Sequence, residues 1–266
     1  MSEKGNILLV GFGTVYRTAR EKTFDAILER IKREFPGYCV SQAWTSRKII
    51  GKVYEREGIC IPTVEEAIRK MTEDEIQTLL VQPVFILDGL EYRALQKSVE
   101  FSQEGISKVC AGKPLLSYAK NIAEAAAIVL KEQKPQSKNQ VLLLIGHGSE
   151  GMADSTYDRL DDEFRRRNCD NVLIGTLQGK RTLEYVIREL ERGTKKDILM
   201  VPFMLTAGYH ASRHIAGEQA DSWKNRLKQR GYPVTVKMRG LAEYQGIQDM
   251  IIRDLKRTEA GISTCI

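Results

Sequence analysis

The chain has 266 residues, a formal net charge of +6 and a pI near 9.0. At 42% hydrophobic and 29% charged it is ordinary for a globular protein, and no apolar run approaches the ~20 residues that a membrane helix needs. Its Lys and Arg are interspersed with acidic residues, without the dense basic block or module signature of a nucleic-acid binder. The surplus positive charge therefore suits a small, multiply carboxylated ligand, or is solvated surface. The N-terminal Met1–Asn6 leads directly into a strand and lacks the apolar segment and cleavage site of a secretory signal, so a cytoplasmic protein is expected. Five scattered cysteines (Cys39, Cys60, Cys110, Cys169, Cys265) form no CxxC pair and read as reduced thiols rather than a disulfide framework or zinc site.

In chain order, strand-like and helix-like segments alternate. Asn6–Val10 is the first strand and ends in Gly11-Phe12-Gly13-Thr14. Arg17–Phe35 has helical spacing, with Phe24, Ile27, Leu28 and Ile31 on one face, and Pro36-Gly37 stops it. Tyr38–Trp44 is the second strand. Thr63, with Glu66 three residues on, has the pattern of a capping box opening the next helix. Ile76–Phe85, nearly all apolar, is a third strand buried on both faces. A helix over Gly89–Phe101, a short strand around Val109 and an alanine-rich helix over Tyr118–Glu132 follow.

The polar stretch Gln133–Gln140 is the best linker in the chain, and it suggests a boundary between an N-terminal half (1–134) and a C-terminal half (135–266). Beyond it the alternation restarts: strand Val141–Ile145, helix Ser155–Asn168, strand Val172–Leu177, helix Arg181–Arg192, strand Ile198–Leu205, helix His214–Gly231, strand Val234–Met238 and helix Ile247–Thr258. Such alternation implies right-handed crossovers and parallel sheets, an α/β fold. The halves also match in detail. Gly11-Phe12-Gly13-Thr14 parallels Gly146-His147-Gly148-Ser149, and Leu80-Val81-Gln82-Pro83 through Gly89 parallels Leu199-Met200-Val201-Pro202 through Gly208. Two residues past these last glycines stand Glu91 and His210. The pattern is that of an internal duplication, with a ligand cleft expected between the copies.

The stretch Val141–Glu150, an apolar strand that breaks into Gly146-His147-Gly148, places one of the chain's three histidines at a strand end. Open α/β sheets put their chemistry there, although a loop histidine of this kind can also do no more than cap the next helix. His147, His210 and Glu91 are all expected at carboxyl ends of strands. Two imidazoles and a carboxylate suit a divalent first-row metal and can also accept protons near neutral pH. His214, four residues after His210, shares its face if helix has begun by His210; otherwise it is a helix histidine satisfied by solvent or backbone.

Several of these stretches together resemble the anaerobic cobalt chelatases, class II chelatases related to ferrochelatase. The resemblance is carried by Leu8–Thr14, Ala43-Trp44-Thr45-Ser46 with Ile49-Ile50, and Gly89-Leu90-Glu91-Tyr92. In the second half it is carried by Gly146-His147-Gly148, Pro202–Leu205 with Ala207-Gly208-Tyr209-His210-Ala211, and Asp221-Ser222-Trp223-Lys224. It runs nearly end to end. It implies two Rossmann-like domains and insertion of Co²⁺, without ATP, into sirohydrochlorin or its precursor precorrin-2. The family's metal-binding histidines fall on His147 and His210, and its glycine-flanked glutamate falls on Glu91.

Gly11, Gly13, Thr14, Gly146 and Gly148 would let backbone approach the macrocycle, and Arg47 and Lys48 are candidates to meet its carboxylates. Two departures stand out: Phe85 replaces a common family histidine, and Gln178, in Leu177-Gln178-Gly179-Lys180, replaces a glutamate. Iron or nickel insertion, a non-catalytic tetrapyrrole- or metal-binding protein, and a dinucleotide enzyme are the alternative readings. The last lacks the third glycine of GxGxxG, and no GxxxxGK[ST] nucleotide loop is present. No nucleic-acid or membrane partner is expected. The sequence is compatible with a homo-oligomer.

Overall fold

A computed structural model describes residues 5–102, 105–133, 137, 139–149, 151–194 and 197–261. Glu150, Cys265 and most of the polar stretch after Gln133 lie outside the described residues. By its internal contacts the chain divides into two units: unit 1 is Met1–Ser117 with Gln248–Ile266, and unit 2 is Tyr118–Ile247.

In unit 1, β1 (Gly5–Gly11) is followed by α1 (Arg17–Arg20), a π-helical segment Glu21–Asp25 and α2 (Ala26–Glu34), together the helix expected over Arg17–Phe35. β2 (Tyr38–Trp44), α3 (Arg47–Glu57), α4 (Val64–Glu73), β3 (Thr78–Val84), α5 (Leu90–Ser102) and β4 (Lys108–Ala111) complete it. The strands pair in parallel in the order β2-β1-β3-β4. The capping box is present: the Glu66 amide donates to Thr63 Oγ1 at 3.2 Å, and the Thr63 amide donates to the Glu66 carboxylate at 2.8 Å. α3 has no counterpart in the expected elements. Its ends nevertheless carry local signals, a Ser46 hydroxyl accepting from the Ile49 amide at the start and Gly58, at φ 66°, at the end.

In unit 2, α6 (Ala119–Glu132) leads into β5 (Gln140–Gly146), α7 (Ser155–Arg166), β6 (Val172–Thr176), α8 (Leu183–Arg192), β7 (Asp197–Pro202), α9 (Trp223–Gln229) and β8 (Val234–Val236). The order β6-β5-β7-β8, again all parallel, repeats that of unit 1 strand for strand. The α/β architecture with two parallel sheets is as expected. The helix expected over His214–Gly231 is divided instead. A π-helical turn, Ala211–Ile215, is separated from α9, which Ser222 caps by accepting from the Asn225 amide at 3.2 Å.

The units do not divide at the polar stretch. α6 follows β4 in the chain but packs on α7, within unit 2. α10 (Gln245–Ala260) begins in unit 2 and continues in unit 1, where Asp249 pairs with Arg30 and Lys256 reaches Glu34 at 2.7 Å. Gln133, read as the start of a linker, is buried and donates to the Tyr244 hydroxyl at 2.5 Å. Polar composition could not show that the helix before this stretch is held by contacts made after it.

Each sheet has its own core, with Leu8, Val10, Leu79, Val81 and Phe85 in unit 1 and Leu143, Ile145, Ile198, Met200 and Trp223 in unit 2. Sheets covered on both faces favour such continuous apolar strands. Cys39, Cys60 and Cys169 are free thiols, but Cys110 is disulfide-bonded, so the expectation of reduced thiols holds for those three and fails at Cys110. No described helix is long and apolar enough to cross a membrane.

Candidate metal centre

His147 is the first residue after β5. Its position is fixed by backbone bonds to the segment leaving β6: the Leu177 amide donates to the Gly146 carbonyl at 3.1 Å, and the Gln178 amide donates to the His147 carbonyl at 3.0 Å. Gly148 has φ +80°, and a Cβ on it would collide with the Gln178 carbonyl, so glycine is required here on two counts. Beneath the loop lies the fully buried Tyr157 of α7, whose hydroxyl accepts from the Gly148 amide at 3.3 Å. A Cβ on Gly146 would strike that same phenol ring. Burial holds the Tyr157 hydroxyl protonated, well above its usual range.

His210 comes from the segment after β7. The Phe203 amide donates to the Ile145 carbonyl at 2.7 Å, and the Leu241 amide donates to the Met204 carbonyl at 2.7 Å, tying this segment to the end of β5 and to the chain beyond β8. His210 then opens the π-helical turn. Such turns often occur at functional sites, because their extra residue rotates side chains away from the α-helical register.

The two imidazoles meet edge to face, with ring centroids 4.8 Å apart and planes at 84°. Nδ1 of His147 lies 3.2 Å from the Gly148 carbonyl; donating there, it leaves Nε2 with a free lone pair. Burial, reinforced by the charges of His147 and His214, pushes His210 down to about 4, so its ring is a neutral donor at physiological pH. His214 stacks on His210 at 5.5 Å with planes 23° apart, and Tyr209 stands edge-on to both rings at 5.6 and 5.9 Å. Among the described residues, no group of three or more His, Cys, Asp or Glu side chains is arranged to hold one ion.

The structure thus brings His147 and His210 together and adds His214. Glu91 lies in the first turn of α5, exposed, in unit 1. Phe85 is part of the unit 1 core, so the departure from the family at this position is absorbed by apolar packing. Gln178 has an exposed side chain and acts through its backbone on the His147 loop. Of the other glycine-loop residues, Gly13 has φ +92° and would meet the Trp44 ring at 2.5 Å if it carried a Cβ, while Gly11 would strike Phe24. Thr14 is buried, its hydroxyl accepting from the Tyr16 amide at 3.3 Å. The glycines therefore have an internal packing reason as well as the expected role toward a ligand. Arg47 and Lys48 are exposed in the first turn of α3, with Arg47 3.7 Å from Glu65. A separate cavity of about 510 Å³ in unit 1, lined by Arg20, Gln42 and Glu57 among others, contains none of these residues.

Sequence reasoning missed the Tyr157 floor beneath the loop and the π-helical turn. A tyrosine on the apolar face of an amphipathic helix reads as core, and no local signal marks a π turn.

The comparisons bear on the family and the fold. The chain is 32% identical over 256 residues to the sirohydrochlorin cobaltochelatase CbiKC of Nitratidesulfovibrio vulgaris, covering 94% of this chain and 88% of that protein. It is 27% identical over 252 residues to the sirohydrochlorin cobaltochelatase of Salmonella typhimurium, covering 95% of each. Among solved structures, SirB from Bacillus subtilis with Fe³⁺ superposes with a TM-score of 0.67, covering 99% of this chain and 98% of that one; at 16% identity this speaks to the fold alone. The family model for cobalt chelatase (CbiK) matches residues 5–260, and the chain belongs to that family.

Proposed function

We propose that this protein inserts Co²⁺ into sirohydrochlorin, or into its precursor precorrin-2, without a nucleotide. The observation that carries the reading is the His147–His210 pair: two imidazoles 4.8 Å apart at the carboxyl ends of β5 and β7, one of them kept neutral by burial, in a family member matched over residues 5–260. The metal is a substrate and has to be both held and released. Neutral imidazole binds borderline divalent ions through nitrogen, and a pair of such donors leaves most coordination positions to water and to the incoming macrocycle.

Insertion expels two protons from the pyrrole nitrogens. His147 and His210 are assigned as ligands for the ion, one of them also relaying a pyrrole proton, and Glu91 as a further ligand or proton acceptor. The glycine loops at Gly11–Gly13 and Gly146–Gly148 are assigned to the backbone surface that the macrocycle approaches. Its acidic side chains match the excess of Lys and Arg. Fe²⁺ and Ni²⁺ are the alternative substrate metals, since ligand type alone does not separate neighbouring ions. The working picture is a cytoplasmic enzyme whose partner is the tetrapyrrole, with neither nucleic acid nor membrane involved, and which is compatible with a homo-oligomer.

The test mixes the purified chain with sirohydrochlorin and Co²⁺, Fe²⁺ or Ni²⁺ in turn, without ATP, and follows the absorption change of the macrocycle. Acceleration over the spontaneous rate, greatest with Co²⁺, is expected. No acceleration with any metal refutes the chelatase reading; if the ring still binds, a tetrapyrrole-binding protein on this scaffold replaces it.

A further inference from the structure

Asp154 stands immediately before α7 and is 5% exposed. An aspartate in that place ordinarily caps the helix by accepting from one of its first amides, and Asp154 makes no such bond. Asp161, buried further along the same helix, is paired with Arg165 at 3.0 Å and Arg181 at 3.4 Å. Asp154 has one hydrogen bond among the described residues: its Oδ2 accepts from the Lys180 amide at 3.2 Å, while its Oδ1 is buried without a partner. Burying a carboxylate with a single donor costs the fold more than one hydrogen bond returns, so stability does not account for it.

The Lys180 bond sets the carboxylate against the turn that leaves β6. Gly179, at φ +87°, lies so close that a Cβ on it would stand 2.8 Å from Oδ2. The same turn reaches the metal centre through Gln178, whose amide donates to the His147 carbonyl at 3.0 Å. One turn along α7, Tyr157 supports the other side of the loop by accepting from the Gly148 amide at 3.3 Å. Burial is the largest cause of the raised Tyr157 hydroxyl; the Gly148 bond opposes it, and the negative charge of Asp154 adds to it.

Unit 1 supplies the comparison. There the Thr45 amide donates to the Gly11 carbonyl at 2.9 Å, as the Leu177 amide does to the Gly146 carbonyl at 3.1 Å. Among the described residues no further bond reaches the Phe12 carbonyl, and the side chains nearest Gly11 and Gly13 are Phe24 and Trp44. The extra backbone bond and the buried carboxylate behind it occur in the half whose loop carries a histidine. We propose that Asp154 is a positioning residue for His147, holding the Gln178–Lys180 turn through the Lys180 amide so that the turn in turn fixes the histidine. The proposal rests on His147 being a metal ligand; the connection from Asp154 to its loop rests on the hydrogen bonds alone.

The metal-free chain gives the first test. In Asp154→Ala the NMR ring resonances of His147, assigned by their loss in His147→Ala, are expected to shift and broaden as the loop loosens. Affinity for Co²⁺ alone, measured by calorimetry, is expected to fall roughly tenfold or more, as it does when groups that orient a metal-binding histidine are removed. In the insertion assay kcat is expected to fall by a similar factor, with KM for sirohydrochlorin unchanged. Asp154→Asn keeps an acceptor for the Lys180 amide and is expected to restore most of the affinity. Should Asp154→Ala not fold, Asp154→Ser takes its place: serine is a good helix cap, but its hydroxyl is one bond too short for Lys180, and the same losses are expected. An unchanged His147 spectrum or unchanged Co²⁺ affinity in whichever of these two variants folds overturns the proposal, whatever stability is lost. An Asp154→Asn variant as weak as Asp154→Ala also overturns it, since the Lys180 bond would then not be what matters. A wild-type chain that inserts no metal refutes the chelatase reading, and the His147 spectrum then still decides the role of Asp154.

Discussion

The glycine loop after β1 and the glycine loop after β5 are one structure built twice. Both second glycines, Gly13 and Gly148, have positive φ, at 92° and 80°. Both first glycines are pressed by an aromatic ring from the following helix, Phe24 under Gly11 and Tyr157 under Gly146. The loops differ in what stands between the glycines and in the floor below. Unit 1 exposes Phe12 over a floor where Phe24 packs on Trp44 with ring centroids 5.6 Å apart. Unit 2 presents His147 over Tyr157, whose hydroxyl takes up the Gly148 amide. A duplicated scaffold has kept its backbone in both halves and placed polar chemistry in only one.

The largest expected effect tests that asymmetry. Removing a metal-holding or proton-relaying imidazole typically costs ~10²–10⁴-fold in rate. His147→Ala and His210→Ala are each expected to lose cobalt insertion on that scale, measured by the macrocycle absorption change. Phe12→Ala, at the equivalent place in unit 1, is expected to lose far less. Equal losses from Phe12→Ala and His147→Ala would erase the distinction between the loops.

Next come the shared glycines. A side chain in the left-handed region costs about 1–2 kcal/mol, and forcing one against a packed neighbour about 1–3 more. Gly13→Ala and Gly148→Ala are therefore each expected to destabilise the protein by about 3 kcal/mol in denaturant unfolding. They should part company in activity per folded molecule. The Gly148 clash is with the Gln178 carbonyl, and the Gln178 amide fixes His147, so Gly148→Ala is expected to lose more activity than Gly13→Ala.

Much of this was legible in the residues. The offset match of the two glycine loops, and of the two Pro-containing strands, anticipated a duplication with parallel sheets; the strand order that the two sheets share is seen only in the fold. His147 and His210 stood out because each follows an apolar strand. Their neighbour His214 was ambiguous for a definite reason: whether it shares a face with His210 depends on where helix begins, and a π-helical turn has no composition signature. The unit boundary was illegible for a different reason. Gln133–Gln140 is polar as a linker would be, but α6 and α10 are assigned by long-range packing, which no local pattern records. The Tyr157 hydroxyl was equally hidden, since only the folded loop gives it a donor.

That hydroxyl supplies the next prediction. Tyr157→Phe gives unit 2 the same kind of floor as unit 1 and leaves the buried Gly148 amide without its partner. An unsatisfied buried donor costs about 1–3 kcal/mol. A loss in that range is expected from thermal or denaturant unfolding, together with faster amide exchange at Gly148. No change in either would mean that the phenol fills space only, as Phe24 does.

The smallest effect expected is electrostatic, and it lies among the three histidines of unit 2. His210 is held down to about 4 first by burial, then by His147 and His214. Folding therefore favours its neutral form. The stability linked to this group is complete above its ordinary 6.5 and falls as pH drops toward about 4, where the folded protein also takes up the proton. In the metal-free protein, ring resonances followed by NMR are expected to titrate near that value. His214→Ala removes one positive neighbour and should move the midpoint upward, but not back to 6.5, because burial, the larger cause, remains. A midpoint already at 6.5 in the wild type would mean that water reaches the ring. Burial would then not be what keeps His210 a neutral donor beside the glycine loop of unit 2.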